Sequence, residues 1–341
     1  MRARLLYTTL LLFGIAVMTL FQSCRNHYDV EKQYYGEMTF SKTIKLQLDT
    51  LLHSQIIEFI PVGESSYVLT DGACIYKTDS TGSIVKRINK QGHGKEEYLK
   101  ISKLFSNGHN IYAWCAMSVC LYKYDMDLNF IDKYQGLSHA IAKFVVTDTD
   151  TAYFLLSGGF DETIGVLPLK QNAPSSYDGC YDNEDKALLF NGISGGIAIF
   201  ENHIKYVKPS HMEVCMVGND DTWIFEDKDF SVKPTYGNLV DWTDSDILNY
   251  ILSNSTCSGL YSEDNNLWLI TETGSILQNE DETLSYASRY LNIHKINKLG
   301  EIISSRMYNY PINAVNYVVY KKHLHLLCIE GESYIIKQHV L

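Results

Sequence analysis

The chain has 341 residues, with 29 Lys plus Arg against 40 Asp plus Glu and a net charge of −11. That balance argues against a nucleic-acid partner, which needs a basic footprint to release counterions, and against broad adhesion of the folded body to an anionic bilayer. With 45% hydrophobic residues, 25 Tyr, 13 Phe and 6 Pro, the composition suits a strand-rich core, as one large β domain or two ordinary ones.

Residues 1–23 read as a removable signal peptide. Arg2 and Arg4 form a short basic region, Leu5 to Phe21 is almost wholly apolar, and Gln22-Ser23-Cys24 closes it. The pattern is secretory; its apolar run of about 17 residues reaches the lower edge of a spanning helix, so an uncleaved anchor is the alternative. Phe21-Gln22-Ser23-Cys24 resembles the lipobox of bacterial lipoproteins. The resemblance implies diacylation of the Cys24 thiol, cleavage before it and acylation of the new amine. At about 0.8 kcal/mol per buried CH₂, two or three acyl chains, palmitate among them, hold a domain at a membrane. Residues 24–41 then read as a lipidated polar tether.

Residues 42–341 carry a repeat. Ile75-Tyr-Lys-Thr-Asp runs to Ile84-Val85, Leu121-Tyr-Lys-Tyr-Asp to Phe130-Ile131, and Ile293-His-Lys-Ile-Asn to Ile302-Ile303. In each copy the opening apolar residue lies nine positions before the apolar pair. After an isolated strand at Lys42–Leu48, strands and polar turns group into six units. Their third strands start near Ile75, Leu121, Ile164, Trp223, Ile293 and Tyr334, and the compact spacings are 46, 43 and 41. Four-stranded propeller blades repeat at about 40–50 residues. One wide gap holds an expected helix in Asp241–Asn254, where Thr243 and Asp246 approximate a capping box. The other holds Thr273 to Ser285, read as a polar loop. The sixth unit ends before a fourth strand, so Lys42–Leu48 is expected to complete it and close the ring without a long free edge. The expected fold is an all-β, six-bladed β-propeller; a β-sandwich with a second small β domain is the competing architecture.

Gly92-His-Gly94-Lys95-Glu96-Glu97-Tyr98, and Trp223-Ile-Phe-Glu with Val232-Lys-Pro-Thr-Tyr236-Gly237, resemble the first and fourth blades of the six-bladed β-propeller lipoproteins of Gram-negative gut bacteria, which are NHL-like. The resemblance implies fold and envelope location, and brings no catalytic residue.

Candidate chemistry is sparse. Gly92-His-Gly94 leads into acids and a strand, so a tight turn suits it better than a phosphate loop. His323 and His325 share a strand face, as two metal ligands could, without a visible third. Asp125-Met-Asp127-Leu-Asn129 opens like a calcium loop but lacks its Gly and distal Glu, and the matching turns begin at Asp79 and Asn297. Asp178 to Asp185 reads as a solvated acidic loop, with cation binding as the lesser alternative. Cys115 and Cys120 could face each other across a hairpin. Trp114, Trp223, Trp268 and Tyr122 read as packing between blades. No catalytic, cofactor or metal site is therefore assigned, and Cys24 is the one site residue. The expected role is binding in the cell envelope, through ring faces and the long loops Leu169–Lys186 and Thr273–Ser285. Expected partners are a membrane through the lipid anchor and an unidentified protein or glycan ligand. A carbohydrate-active hydrolase or lyase at the central channel, and a structural subunit of an outer-membrane assembly, are the alternatives.

Overall fold

The computed structural model describes residues 26–48, 56–137, 140–157, 161–170, 176–189, 192–237, 239–278, 284–311 and 313–341. The leader and Cys24 lie outside the described residues. Three short strands come first: β1 (Asn26–Asp29), β2 (Gln33–Gly36) and β3 (Lys42–Lys45). Blade one follows as β4 (Glu58–Pro61), β5 (Tyr67–Thr70), β6 (Ile75–Thr78) and β7 (Ile84–Ile88). Blade two is β8 (Ile101–Ser106), β9 (Asn110–Cys115), β10 (Cys120–Asp125) and β11 (Phe130–Gln135). Blade three is β12 (Ile141–Val146), β13 (Thr151–Leu156), β14 (Glu162–Pro168) and β15 (Ser176–Cys180), followed by helix α1 (Asn183–Leu189). Blade four is β16 (Gly196–Phe200), β17 (His203–Val207), β18 (Glu213–Met216) and β19 (Asn219–Glu226), followed by helix α2 (Asp244–Leu252). Blade five is β20 (Thr256–Glu263), β21 (Asn266–Gln278), β22 (Leu284–Ile296) and β23 (Ile302–Asn309). Blade six is β24 (Ala314–Tyr320), β25 (His323–Glu330) and β26 (Ser333–Val340), with β3 antiparallel on β26 from Lys42↔Gln338 to Lys45↔Ile335.

Each blade is an antiparallel meander, and the first strands β4, β8, β12, β16, β20 and β24 neighbour one another in a closed circle. The core is accordingly a set of apolar layers between adjacent blades. Ile75, Ile101 and Tyr122 pack between blades one and two, Trp114 and Phe154 between two and three, and Val207 and Leu269 between four and five. The layer between blades six and one joins Leu327 and Ile336 to Phe59 and Tyr67, with Ile44 of β3 among them. This explains the strand patterns. In β9 and β10 nearly every residue is buried, because both sheet faces meet a neighbouring blade. The outer strand β7 instead alternates, since one of its two faces meets solvent.

Four readings need correction. Most of the described part of the 24–41 segment is docked and does not act as a tether. Strand β1 pairs in parallel with β19, and β2 in parallel with β23, on the outer edges of blades four and five. Those edges offer unpaired backbone groups, which a nearby extended chain satisfies. Next, Thr273 to Ser285 largely continues β21 and β22 as a ribbon beyond the blade, paired from Thr273↔Tyr290 to Gln278↔Leu284. Leu169–Lys186 contains β15 and the start of α1, so blade three has its fourth strand there. Finally, Trp223 belongs to the fourth strand of its blade, because β18 fills the third place.

Helix α2 starts where the capping residues place it: Thr243 accepts from the Asp246 amide, and the Asp246 side chain accepts in return from the Thr243 amide. Among the described residues no helix is long and apolar enough to cross a membrane.

Candidate functional site

The inner strands bring polar side chains of different blades together at the axis. Glu58 on β4 accepts a 3.0 Å hydrogen bond from Asn316 Nδ2 on β24 through Oε1, and its Oε2 lies 3.3 Å from Lys103 Nζ on β8. Lys143 on β12 donates to the carbonyl of Gly195 at 2.9 Å and to that of Ser258 on β20 at 2.7 Å. The second bond spans from blade three to blade five. The Tyr317 hydroxyl on β24 sits against Ser258 Oγ and 3.1 Å from Glu272 Oε1, and Glu272 pairs with Arg289. Arg289 in turn stacks 3.6 Å over the Tyr310 ring.

Five charged groups thus gather here, three cations and two carboxylates. Glu58 and Glu272 each hold a cation. Lys143 makes no ion pair among the described residues; backbone carbonyls alone receive its ammonium, with the Tyr261 ring 5.9 Å away. Desolvation, reinforced by the charge on Lys103, lowers its pKa to about 8. Burial also raises the Tyr261 and Tyr317 hydroxyls, so both stay protonated donors. The arrangement ties all six blades together, blade four through the Gly195 carbonyl, by groups that already hold one another.

These axial residues escaped the sequence reading, although a signal existed. Ile57-Glu58-Phe59, Ser102-Lys103-Leu104 and Ala142-Lys143-Phe144 each set one charged residue near the start of a unit's first strand. The blades align those slots around the axis.

A second cluster lies at the start of α1. Ligand atoms of Asp182, Asp185 and His211 lie within 4.8 Å of one another. Asp185 is fully buried and accepts from the Ser210 amide at 3.1 Å and from its hydroxyl at 2.5 Å. Lys208 Nζ lies 3.3 Å from Asp185 and 3.6 Å from Asp182. Burial pushes the Asp185 pKa up, but His211, Lys208 and Ser210 outweigh it and bring it down to about 2. The hydrogen bond to Asp185 raises His211 despite burial. Lys208 therefore supplies the positive charge a cation would bring, and a metal would have to displace it. The expectation of a solvated acidic loop is corrected at Asp185, which pins α1 to blade four.

The other sequence candidates resolve locally. The Gly94 amide donates to the Glu97 carboxylate at 2.8 Å, so the chain's own acid occupies the place of an anion. His325 is buried, with Nδ1 on the Tyr67 hydroxyl at 2.9 Å and Nε2 on the Tyr320 carbonyl at 3.1 Å. Both of its nitrogens are engaged, and neither is left for a metal. Cys115 and Cys120 are register partners on β9 and β10, and both are free thiols. Trp114, Trp223, Trp268 and Tyr122 are buried between blades.

Residues 49–164 match the model of a family described as a 6-bladed beta-propeller. By structure the chain is similar to a protein from Bacteroides fragilis described as exported, at 13% identity and a TM-score of 0.59, over 92% of this chain and 99% of that one. It is also similar to a member of the DUF4221 family from Bacteroides vulgatus, at 11% identity and a TM-score of 0.63, over 89% of this chain and 97% of that one. No curated protein matches the sequence. The likeness is one of fold, and it agrees with the closed ring of six blades described above.

Proposed function

We propose that the protein is a lipid-anchored binding module of the cell envelope, with residues 1–23 as signal peptide, Cys24 as the acylated residue and 42–341 as the propeller. The observation that carries the binding role is the β21–β22 ribbon. Past Glu272 and Tyr290 no third strand of the sheet runs beside it among the described residues. At about 3.3 Å per residue, six residues on each strand project roughly 20 Å from the blade. The Arg289 carbonyl still accepts from the Tyr310 amide at 2.8 Å; a two-stranded ribbon that projects in this way is a template for strand addition by a protein partner. Envelope location is supported by the leader and by the exported neighbour. The reading also takes β3 as the lock of the ring, supported by its antiparallel register on β26. The hydrolase or lyase alternative gains nothing from the axis, where Glu58 and Glu272 each hold a cation.

The test uses the full chain in its native envelope. Cys24→Ser should abolish acylation and release the protein to the soluble fraction; retention in the membrane would mean an uncleaved helix holds it. Replacing residues 275–287 by a short Gly turn should leave the melting transition in place and remove the protein's cross-linked envelope complexes. Complexes that persist unchanged would overturn the ribbon as the binding element.

A further inference from the structure

We infer that the rim of blades four and five faces a phospholipid bilayer, with the ring axis lying parallel to the membrane plane. This deepens the lipid-anchored reading and rests on it. The reason is the short chain between Cys24 and the folded body. Strand β1 begins at Asn26 and runs along the outermost strand of blade four, from Asn26↔Trp223 to Asp29↔Glu226. The Val30 amide donates to the Glu226 carbonyl at 2.9 Å, and the Val30 side chain is buried between blades four and five. The Lys32 ammonium is buried 2.9 Å from both Asp227 and Asp229. Strand β2 then follows the rim of blade five, and Met38 enters the next apolar layer. The segment is fastened along its length.

One residue, Arg25, separates Cys24 from Asn26, so their Cα atoms lie at most about 7 Å apart. The headgroup zone is roughly 5–7 Å deep on each side of a bilayer. An acylated Cys24 therefore holds the start of β1 at the headgroups.

The surface around β1 and β2 fits that place. Tyr34 and Tyr35 of β2 are 55% and 46% exposed, and on the same rim Leu299, in the turn before β23, and Ile303, near the start of that strand, are 63% and 51% exposed. The turn carrying Leu299 abuts blade four, where a Cβ on Gly300 would come within 2.7 Å of the Trp223 ring. Tyrosine suits the interface because its ring is apolar and its hydroxyl wet. The charges on this rim are mixed: Asp29, Glu31, Glu226 and Lys298 are exposed, and Arg306 is half-buried. The rim consequently sets orientation, while the acyl chains supply the hold. Both ring faces then stand perpendicular to the membrane and stay open.

The experiment places the photoreactive residue benzoylphenylalanine at Tyr34 or Leu299 of the full-length lipoprotein. Val85 and Ile131, exposed on the outer strands of the opposite blades one and two, serve as controls. In phosphatidylcholine vesicles, lipid adducts at Tyr34 and Leu299 should exceed those at Val85 and Ile131 several-fold. A flexible Gly/Ser insert between Arg25 and Asn26 should bring the four positions level while the protein stays membrane-bound. Level labelling in the parent protein, still acylated and membrane-bound, would overturn the orientation and leave the anchor standing. A parent protein that is soluble and unacylated would overturn both.

Discussion

His294 is fully buried on β22, with Nε2 3.1 Å from Thr271 Oγ1 and Nδ1 2.6 Å from Ser305 Oγ. Burial lowers its pKa to about 3, and burial lowers that of His325 to about 4. In the unfolded chain both would titrate near the ordinary value of 6.5. As pH falls through 6.5 the unfolded chain takes up protons first, so stability is full above that pH and declines toward pH 4 and below. Thermal melts at pH 7.5, 5.5 and 4.5 should show this decline, and His294→Gln should flatten it while lowering the melting temperature at pH 7.5. An unchanged acid slope in the variant would rule His294 out as a source. The hydrophobic runs made these histidines legible as strand residues; their protonation was not, because it depends on burial by neighbouring strands and blades, β21 and β23 around His294 and β5 of blade one against His325. Lys143 shows the same limit: its position in a strand was readable, whereas the carbonyls of Gly195 and Ser258 that receive it come from blades four and five.

Among elements, the repeated hairpin turn was the most legible. In all three copies the first side-chain oxygen accepts the amides two and four residues on. Asp79 takes Thr81 and Ser83 at 2.8 and 3.0 Å, Asp125 takes Asp127 and Asn129 at 2.9 and 2.8 Å, and Asn297 takes Leu299 and Glu301 at 2.9 and 3.0 Å. Those bonds account for the calcium-like spacing without an ion. Because an amide oxygen serves at Asn297, Asp125→Asn should melt close to the parent protein, whereas Asp125→Ala should melt lower. Equal melting of all three proteins would show that the turn is held by its backbone alone. A fourth copy went unseen: Thr147 accepts from the Thr151 amide at 3.2 Å, and Asp150 takes the left-handed conformation that Gly82 and Gly300 take elsewhere. A threonine in place of the acid or amide hid it, since Leu128 shows that the left-handed place does not require glycine.

Across the whole molecule, stability depends on each blade covering the faces of its neighbours. Strand β3 matters out of proportion to its four residues, since Ile44 lies in the layer between blades six and one. Removing residues 1–41 should leave a cooperative melt at a lower temperature, because β1 and β2 cover outer edges and the segment adds only Val30 and Met38 to the buried apolar layers. Removing residues 1–48 exposes the edge of β26 and opens the layer around Ile44, and should yield aggregation or a broad transition. Two truncations with the same melt would mean that β3 does not lock the ring. The two long-range contacts of β1 and β2 were missed because parallel pairing with a strand hundreds of residues along the chain, Asn26 with Trp223 and Gln33 with Arg306, leaves no local period to detect.

The sequence by itself determined the local units: alternating and continuous apolar runs, turn residues at fixed offsets, and a period short enough to count six blades. These are properties of neighbouring strands, which a hairpin brings together whatever the rest of the chain does. Only the tertiary structure decided what meets at the axis and what covers the rim. Lys143 reaches Ser258, and Asn26 lies beside Trp223, because six sheets are arranged in a circle, and that proximity is created by the ring rather than by any stretch of the chain.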